Sequence, residues 1–310
     1  MILEIKNLNK SFGNNHVLKD VCFSVTAERT LGLLGRNGHG KTTTMKIIMG
    51  IINSDSGEIT VDGIFLNQDN FKLGYLPEER GLYQKVSIID QMVYFAKLRG
   101  LDTSFARESA LYLLERLDMT EYIDKQAITL SKGNQQKIQL AIALLNDPDI
   151  IILDEPYSGL DPVNSQLLRE LIEENAKMNK IIIFSSHQLD TVEEFCQDIC
   201  IMNYGQVLLN GNLSDIKNAY PKDRLLVVSE SGKKKDLEWA IETNPYVLDA
   251  IDRYEPDGDS GFILYLKDVS TKNKTISYLL SKDSLCVDSL SLVEPTLLEI
   301  FLEKVGEKHG

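Results

Sequence analysis

One octapeptide restricts what this chain can fold into more than any other feature. Residues 35–42 read GRNGHGKT and fit the pattern G-x-x-x-x-G-K-[ST]. A mostly apolar run, TLGLLG, precedes it, as a buried strand would. KTTTMKIIMG follows and reads as a helix with Gly50 as its stop. Strand, glycine loop and helix in that order make a cradle for phosphate. Polyphosphate must lie against backbone N–H groups with no side chain in the way. Gly35, Gly38 and Gly40 allow that approach and its unusual dihedrals. The helix then points the positive end of its dipole at the anion. Lys41 can reach β- and γ-phosphates, the Thr42 hydroxyl can ligate Mg²⁺, and Thr43 can add a contact lower on the phosphates.

A second element completes the chemistry. Ile150 to Leu153 form an apolar run that delivers Asp154 and Glu155 at its carboxyl end, where ligands of α/β sheets bind. Asp154 can hold Mg²⁺ through water. An acid beside the metal, Glu155, can polarise a water for in-line attack on a γ-phosphate.

The rest of the chain organises around these two sites. ILEIKNL and VCFSV alternate like strands, with Val21, Phe23 and Val25 on one face; EITVDG is strand and turn. From about Ser87 to Asn146 the pattern turns helical. Ser87 caps IIDQMVYFAKLRG, SFARESALYLLERLDM keeps an amphipathic period, and QQKIQLAIALLN ends before Pro148. Strands return with DIIILDEP and KIIIFSS. Asp161 and Pro162 open a helix as cap and first-turn proline, and CIMNYG with QVLLNG reads as a closing strand pair. Composition changes after about Tyr220, with YPKDR as a linker. The tail reads strand RLLVVSE, helix KDLEWAIETN, strands YVLDAIDRY and GFILYLK, helix TKNKTISYLLS and strand LCVDSLSLV. That βαββαβ order is ferredoxin-like. A last helix, PTLLEIFLEKV, is read with Pro295 in its first turn.

Composition excludes some functions. A net charge of −13 argues against a chain built to grip nucleic acid, so no nucleic acid partner is expected. No apolar run has the length of a transmembrane helix, and MILEIKNLNK has no signal-peptide core. The expected location is cytoplasmic, with membrane contact made through a partner. Cys22, Cys196, Cys200 and Cys286 show no zinc-type pairing and read as thiols in a reducing compartment.

Taken together these residues resemble the ATP-binding cassette family. Five further segments match its pattern in order: SFG with Phe12 where an aromatic stacks on adenine, YLPEE from Tyr75 as the Q-loop region, LSKGNQQK at 130–137 as the signature motif, YSGLD ending at Asp161 as the D-loop, and SSH ending at His187 as the switch histidine. The match covers about residues 2–220. The resemblance implies an α/β P-loop NTPase cassette over 1–220, with a β-rich N-terminal part and a helical insert at about 79–147. It leaves 221–310 as a small α+β accessory domain. It also implies ATP and Mg²⁺ as ligands and a homodimer or heterodimer holding two ATP molecules head to tail. Ser131, Lys132, Gly133 and Asn134 of one copy would then face the γ-phosphate held by the other. His187 would bond that phosphate, and Asp161 would link the two sites.

Some positions depart from the pattern. The Q-loop residue is Glu78 in place of glutamine; a carboxylate can still bind Mg²⁺. Lys132 and Asn134 replace commoner residues, and Lys132 reads first as solvated. Arg36 and His39 are unusual in the phosphate loop beside Asn37 and read as exposed. His39 is expected to make nucleotide affinity pH-sensitive near neutrality.

YLPEERGLY, the signature variant and EPTLLEIFLEKV are similar to the ATPase subunits of ABC-2-type exporters, including those resembling sodium-efflux and drug-export ATPases. The implied partner is an integral-membrane permease, driven by ATP-dependent closure of the cassette dimer at the inner face of the membrane. Leu82, Tyr83, Val86 and Ile88 are the candidate permease contacts, with packing inside the helical block the competing reading for Val86 and Ile88. Two other readings compete. A soluble ATPase acting on ribosomes or DNA would show paired cassettes, a heptad array or a zinc pattern, and none is present. A nucleotide-switched regulatory module would not need Glu155 and His187.

Overall fold

The computed structural model describes residues 1–79, 81–230, 234–280 and 287–306. The chain forms two compact units, residues 1–213 with 300–310, and residues 214–299. Composition puts the change at about 220, whereas the units divide after Leu213 and the last helical residues return to the first unit.

The first unit holds two sheets. Strands β1 (Ile2–Phe12), β2 (Asn15–Thr26), β4 (Ser56–Val61) and β5 (Ile64–Phe65) form an antiparallel sheet in the order β2-β1-β4-β5. Val21, Phe23 and Val25 are all buried on one face of β2, as the alternation requires. The second sheet joins β3 (Thr30–Leu34), β6 (Leu73–Leu76), β7 (Ile150–Asp154), β8 (Ile181–Ser186), β9 (Asp198–Asn203) and β10 (Gln206–Asn212) in the order β10-β9-β3-β8-β7-β6. Its pairs are parallel except β9 with β10. Strands β3, β7 and β8 are buried at every residue, so they read as continuous apolar runs.

A shared core fills the space between the sheets. Leu3, Ile5 and Phe23 from the antiparallel sheet meet Leu31, Leu33, Ile150, Ile152 and Ile183 from the parallel one. Met45 and Ile48 of α1 (Lys41–Ile48) join them. Each such side chain contributes about 1.5–3 kcal/mol of burial. That core fixes the roots of the loops that follow β3, β7 and β8.

The insert between β6 and β7 carries α2 (Ile88–Leu98), α3 (Thr103–Arg116) and α4 (Lys132–Leu144). Ser87 caps α2, accepting a hydrogen bond from the Asp90 amide. Helix α4 lies so close to β6 that a Cβ on Gly74 would stand 2.3 Å from the Ala143 carbonyl oxygen. A larger residue at 74 would push the helix off the sheet. After β7 come α5 (Pro162–Lys177), capped by Asp161 with Pro162 in its first turn, and α6 (Leu189–Phe195). Tyr204 and Gly205, both at positive φ (46° and 79°), make the two-residue turn between β9 and β10.

In the second unit, α7 (Leu213–Ala219) leads to β11 (Arg224–Ser229), α8 (Lys234–Thr243), α9 (Pro245–Ala250), β12 (Ile251–Asp257), β13 (Gly261–Leu266), α10 (Lys272–Leu280) and β14 (Val287–Leu292). The sheet order β12-β13-β11-β14, all antiparallel, is that of a ferredoxin-like unit. Two expectations fail here. YVLDA is helix α9 and not strand, because Asn244 caps it and Pro245 opens it. Pro295 stands outside the last helix, α11 (Leu297–Gly306). Thr296 caps that helix, with its hydroxyl accepting from the Glu299 amide while Glu299 accepts from the Thr296 amide. The first two residues of the expected strand LCVDSLSLV fall outside the described residues.

Candidate active site

Parallel register gathers the chemistry at one edge of the sheet. Leu34 pairs with Ser186 and Asp154 with Ser185, so the phosphate loop, Asp154–Glu155 and His187 leave adjacent strands at one level. In the loop, Gly35 (φ +153°) would place a Cβ 2.5 Å from the Met202 carbonyl oxygen. Gly38 (φ +81°) faces open space. The first glycine is demanded by the fold and the second leaves room for a ligand. Arg36 and Asn37 are exposed, as expected.

Lys41 is only 6% exposed. Its ammonium donates to the Gly35 carbonyl oxygen at 2.7 Å and to that of Arg36 at 3.4 Å, strapping the loop around its own side chain. Burial lowers its pKa, and Glu155, Asp154 and Glu78 pull the other way. The charges of three carboxylates therefore act on one ammonium. Thr42 and Thr43 are half-buried on the first turn of α1; Thr44 turns inward and donates to the Gly40 carbonyl.

His39 departs from expectation. It is half-buried, its ring 4.5 Å from that of Tyr204, and Nδ1 has no hydrogen-bond partner among the described residues. The close β9–β10 turn holds it there, with the Gly205 amide donating to the His39 carbonyl at 3.2 Å. Burial, then Arg36 and Lys41, lower its pKa, which moves its titration away from neutrality and towards acid.

Asp154 is 1% exposed. One oxygen, Oδ1, accepts from the Ser185 hydroxyl; the same hydroxyl accepts from the Glu155 amide at 3.1 Å. The other, Oδ2, is buried with no partner among the described residues. No cluster of three or more His, Cys, Asp or Glu side chains forms an all-protein metal site among the described residues. One orphaned carboxylate oxygen, the exposed Glu78 and the half-buried Thr42 hydroxyl suit a hard cation that arrives with a polyphosphate and keeps part of its water.

Glu155 sits at φ +52°, a conformation that costs a non-glycine residue energy. Its carboxylate meets His187 Nδ1 at 2.8 Å, and the His187 ring is otherwise largely exposed. Burial raises the Glu155 pKa; His187 and Lys41 oppose the rise. A carboxylate raised in this way is suited to accept a proton from water.

Ser131 caps α4 by accepting from the Asn134 amide at 3.2 Å, and Lys132 is exposed. Two glutamines of that helix, not singled out by sequence reasoning, tie it to the site. Gln136 donates to the Pro156 carbonyl at 3.2 Å, and Gln139 to the Glu79 carbonyl at 3.3 Å. Their i, i+3 spacing on one helix was the available signal. Asp161 is committed to its cap, accepting from the Asn164 amide and side chain at 2.9 and 2.6 Å. Phe12 is half exposed, with the Lys10 ammonium 5.4 Å from its ring centre. Of the expected permease contacts, Leu82 and Ile88 are core residues at 6% and 0% exposure. Tyr83 and Val86 are at the surface.

Cys22, Cys196 and Cys200 are free thiols, the last two buried; Cys286 lies outside the described residues. No helix among the described residues is long and apolar enough to cross a membrane.

A parallel sheet with a glycine phosphate loop, a buried aspartate and a paired glutamate–histidine defines a nucleotide-hydrolysing cassette. Comparison with known proteins agrees. Residues 18–158 match the ABC transporter family, and residues 211–305 match the C-terminal domain of the DrrA1-3-like ATP-binding proteins. An uncharacterised ABC transporter ATP-binding protein, YhaQ of Bacillus subtilis, is 37% identical over 306 residues, 98% of this chain and 99% of that protein. The linearmycin resistance ATP-binding protein LnrL of the same organism is 29% identical over 315 residues, 98% of each chain. A solved ATP-binding subunit of an ABC transporter superposes with a TM-score of 0.65 at 31% identity, covering 70% of this chain and 92% of that one. The chain belongs to the ATP-binding proteins of ABC transporters and is an ATPase subunit.

Proposed function

We propose that the chain is one of two cassettes whose ATP-driven closure powers a separate membrane-embedded permease of the exporter type. ATP-binding subunits of this family generally pair with permeases and dimerise. The export direction is supported by likeness over the whole chain to LnrL, named for resistance to linearmycin. In this reading the subunit lies at the cytoplasmic face of the membrane, held there by the permease.

The observation that carries the reading is the 2.8 Å contact between Glu155 and His187 beside Lys41. Glu155 takes a proton from the attacking water, and His187 positions that water and bonds the γ-phosphate. Lys41 leaves the loop carbonyls for the phosphates. Gly35, Arg36, Asn37, Gly38, His39, Gly40, Thr42 and Thr43 surround them, and Phe12 stacks on adenine. Thr42, Asp154 and Glu78 would hold Mg²⁺, which when bound would supply charge neutralisation at the phosphates. The partner cassette brings Ser131, Lys132, Gly133 and Asn134 to the γ-phosphate, and Asp161 joins the two sites.

The permease docks at an aromatic cluster next to the Q-loop. There Tyr83 stacks on Phe95 at 5.9 Å, and Tyr94 meets both rings edge-on. Tyr83 and Tyr94 are both about half exposed.

The test is Glu155→Gln. It should bind ATP, abolish turnover and trap a dimer by light scattering; normal turnover would refute the role of Glu155. Lys41→Ala should lose ATP binding. Affinity purification from solubilised membranes should recover an integral-membrane permease, and recovery of ribosomal proteins instead would overturn the transport reading.

A further inference from the structure

Tyr75 is a buried hydroxyl that the roles above leave unused. On β6 it pairs with Ile152 of β7, and Asp154 of β7 pairs with Ser185 of β8. Side chains alternate along a strand, so Tyr75, Ile152, Asp154 and Ser185 stand on one face of the sheet. That face is the one that carries Ile150 and Ile183 into the core behind the phosphate loop.

Two polar atoms on this face lack partners among the described residues: the Tyr75 hydroxyl and Asp154 Oδ2. A buried tyrosine hydroxyl ordinarily finds a partner. Here the orphans are complementary, one a donor and the other an acceptor. Burial, followed by the charges of Asp154 and then Glu78, pushes the Tyr75 pKa up to about 12. The hydroxyl therefore keeps its proton at any working pH. Asp154 lies two residues beyond the strand partner of Tyr75, and the charges of Asp154 and Glu78 act on both Tyr75 and Lys41, so the two orphaned atoms share one polar corner. A water in that corner would accept one hydrogen bond from Tyr75 and donate one to each carboxylate. Its remaining lone pair would be free for a cation. Such a water has its full set of partners.

We infer that Tyr75 is a positioning residue: its hydroxyl, with Asp154 Oδ2 and Glu78, holds one water of the shell of the metal ion bound with ATP. The inference rests on the reading of Asp154 as the metal's carboxylate partner. A hydrogen-bonded outer group of this kind orients what touches the ion and tunes affinity for it.

The probe is Mn²⁺, titrated by electron paramagnetic resonance into the full-length Glu155→Gln protein with saturating ATP. ATP affinity without metal and the thermal midpoint are measured alongside. Tyr75→Phe should weaken Mn²⁺ about fivefold, the worth of one hydrogen bond, and leave metal-free ATP affinity and the midpoint unchanged. Glu78→Ala, at an exposed position, should give a loss that is not additive with Tyr75→Phe, because both act on the same water. Asp154→Asn should lose most Mn²⁺ affinity. If Tyr75→Phe binds Mn²⁺ like its parent while Asp154→Asn does not, the role of Tyr75 is overturned and the metal reading stands. If Asp154→Asn keeps its Mn²⁺, the metal reading fails and takes the inference with it. Equal losses in metal-free ATP affinity or in the midpoint, or additive losses with Glu78→Ala, would mark Tyr75 as packing only.

Discussion

Replacing Ser185 with alanine removes two hydrogen bonds at one buried point. The Ser185 hydroxyl, fully buried, donates to Asp154 Oδ1 and accepts from the Glu155 amide. Asp154 Oδ2 has no partner among the described residues. Ser185→Ala therefore strips a buried carboxylate of its described hydrogen bond and orphans a buried N–H. A bond to a charged group is worth about 1.5–3 kcal/mol, and an unsatisfied buried donor costs about 1–3 kcal/mol. The expected loss is roughly 3–5 kcal/mol. Hydrogen–deuterium exchange of the β7 and β8 amides reads the local stability. At about 1.4 kcal/mol per decade, protection should fall by roughly two to four decades. In an Asp154→Asn background the same substitution should cost less by about 1–2 kcal/mol, since the acceptor is no longer charged. A change in protection below twofold in Ser185→Ala, or an equal cost in both backgrounds, would refute this account of how Asp154 and Glu155 are held.

Four more substitutions have expected outcomes. Gly35→Ala meets a backbone oxygen at 2.5 Å and should cost more than about 3 kcal/mol, seen as loss of soluble folded protein. Gly38→Ala meets nothing and should fold with only about 1–2 kcal/mol of strain, yet bind ATP poorly in calorimetry; the reverse order would contradict the geometry. His39 is lowered by burial, Arg36 and Lys41, so it is neutral in the free protein at pH 7; bound phosphate favours its charged form. ATP affinity should thus be flat from pH 7 to 8 and rise as pH falls below the ordinary histidine value of about 6.5, and His39→Ala should remove the rise. A slope centred above pH 7 would be inconsistent with this. Tyr83→Ala should keep the ATPase rate of the isolated subunit and lose recovery of the permease in affinity purification, whereas equal recovery would move the docking site elsewhere.

Much of the fold was legible because its signals are local. A buried parallel strand is an apolar run wherever it sits, so β3, β7 and β8 stand out. Caps are local too, and Ser87 and Asp161 hold the positions their chemistry predicts. The same chemistry, Asn244 before Pro245, marked α9, but the apolar residues of YVLDAIDRY also satisfy a strand pattern. A short apolar run does not distinguish the two. Leu82 went wrong for a related reason, and Ile88 took its packing alternative. Apolar character does not say which side of a chain segment faces the core, and the packing of the insert decides that.

The sequence by itself determined the candidates for the reacting groups. The glycine loop with Lys41 and the acidic pair Asp154–Glu155 announce their chemistry through spacing over a few residues, whereas His187 is marked only by the family resemblance. Tertiary structure alone decided who serves them. Ser185 braces Asp154 and Glu155 because parallel register sets β8 beside β7, and Tyr75 joins their face because β6 flanks β7 on the other side. His39 leaves solvent because a turn more than 160 residues away brings Tyr204 under it. Such contacts depend on burial and register between distant segments, which no local pattern encodes.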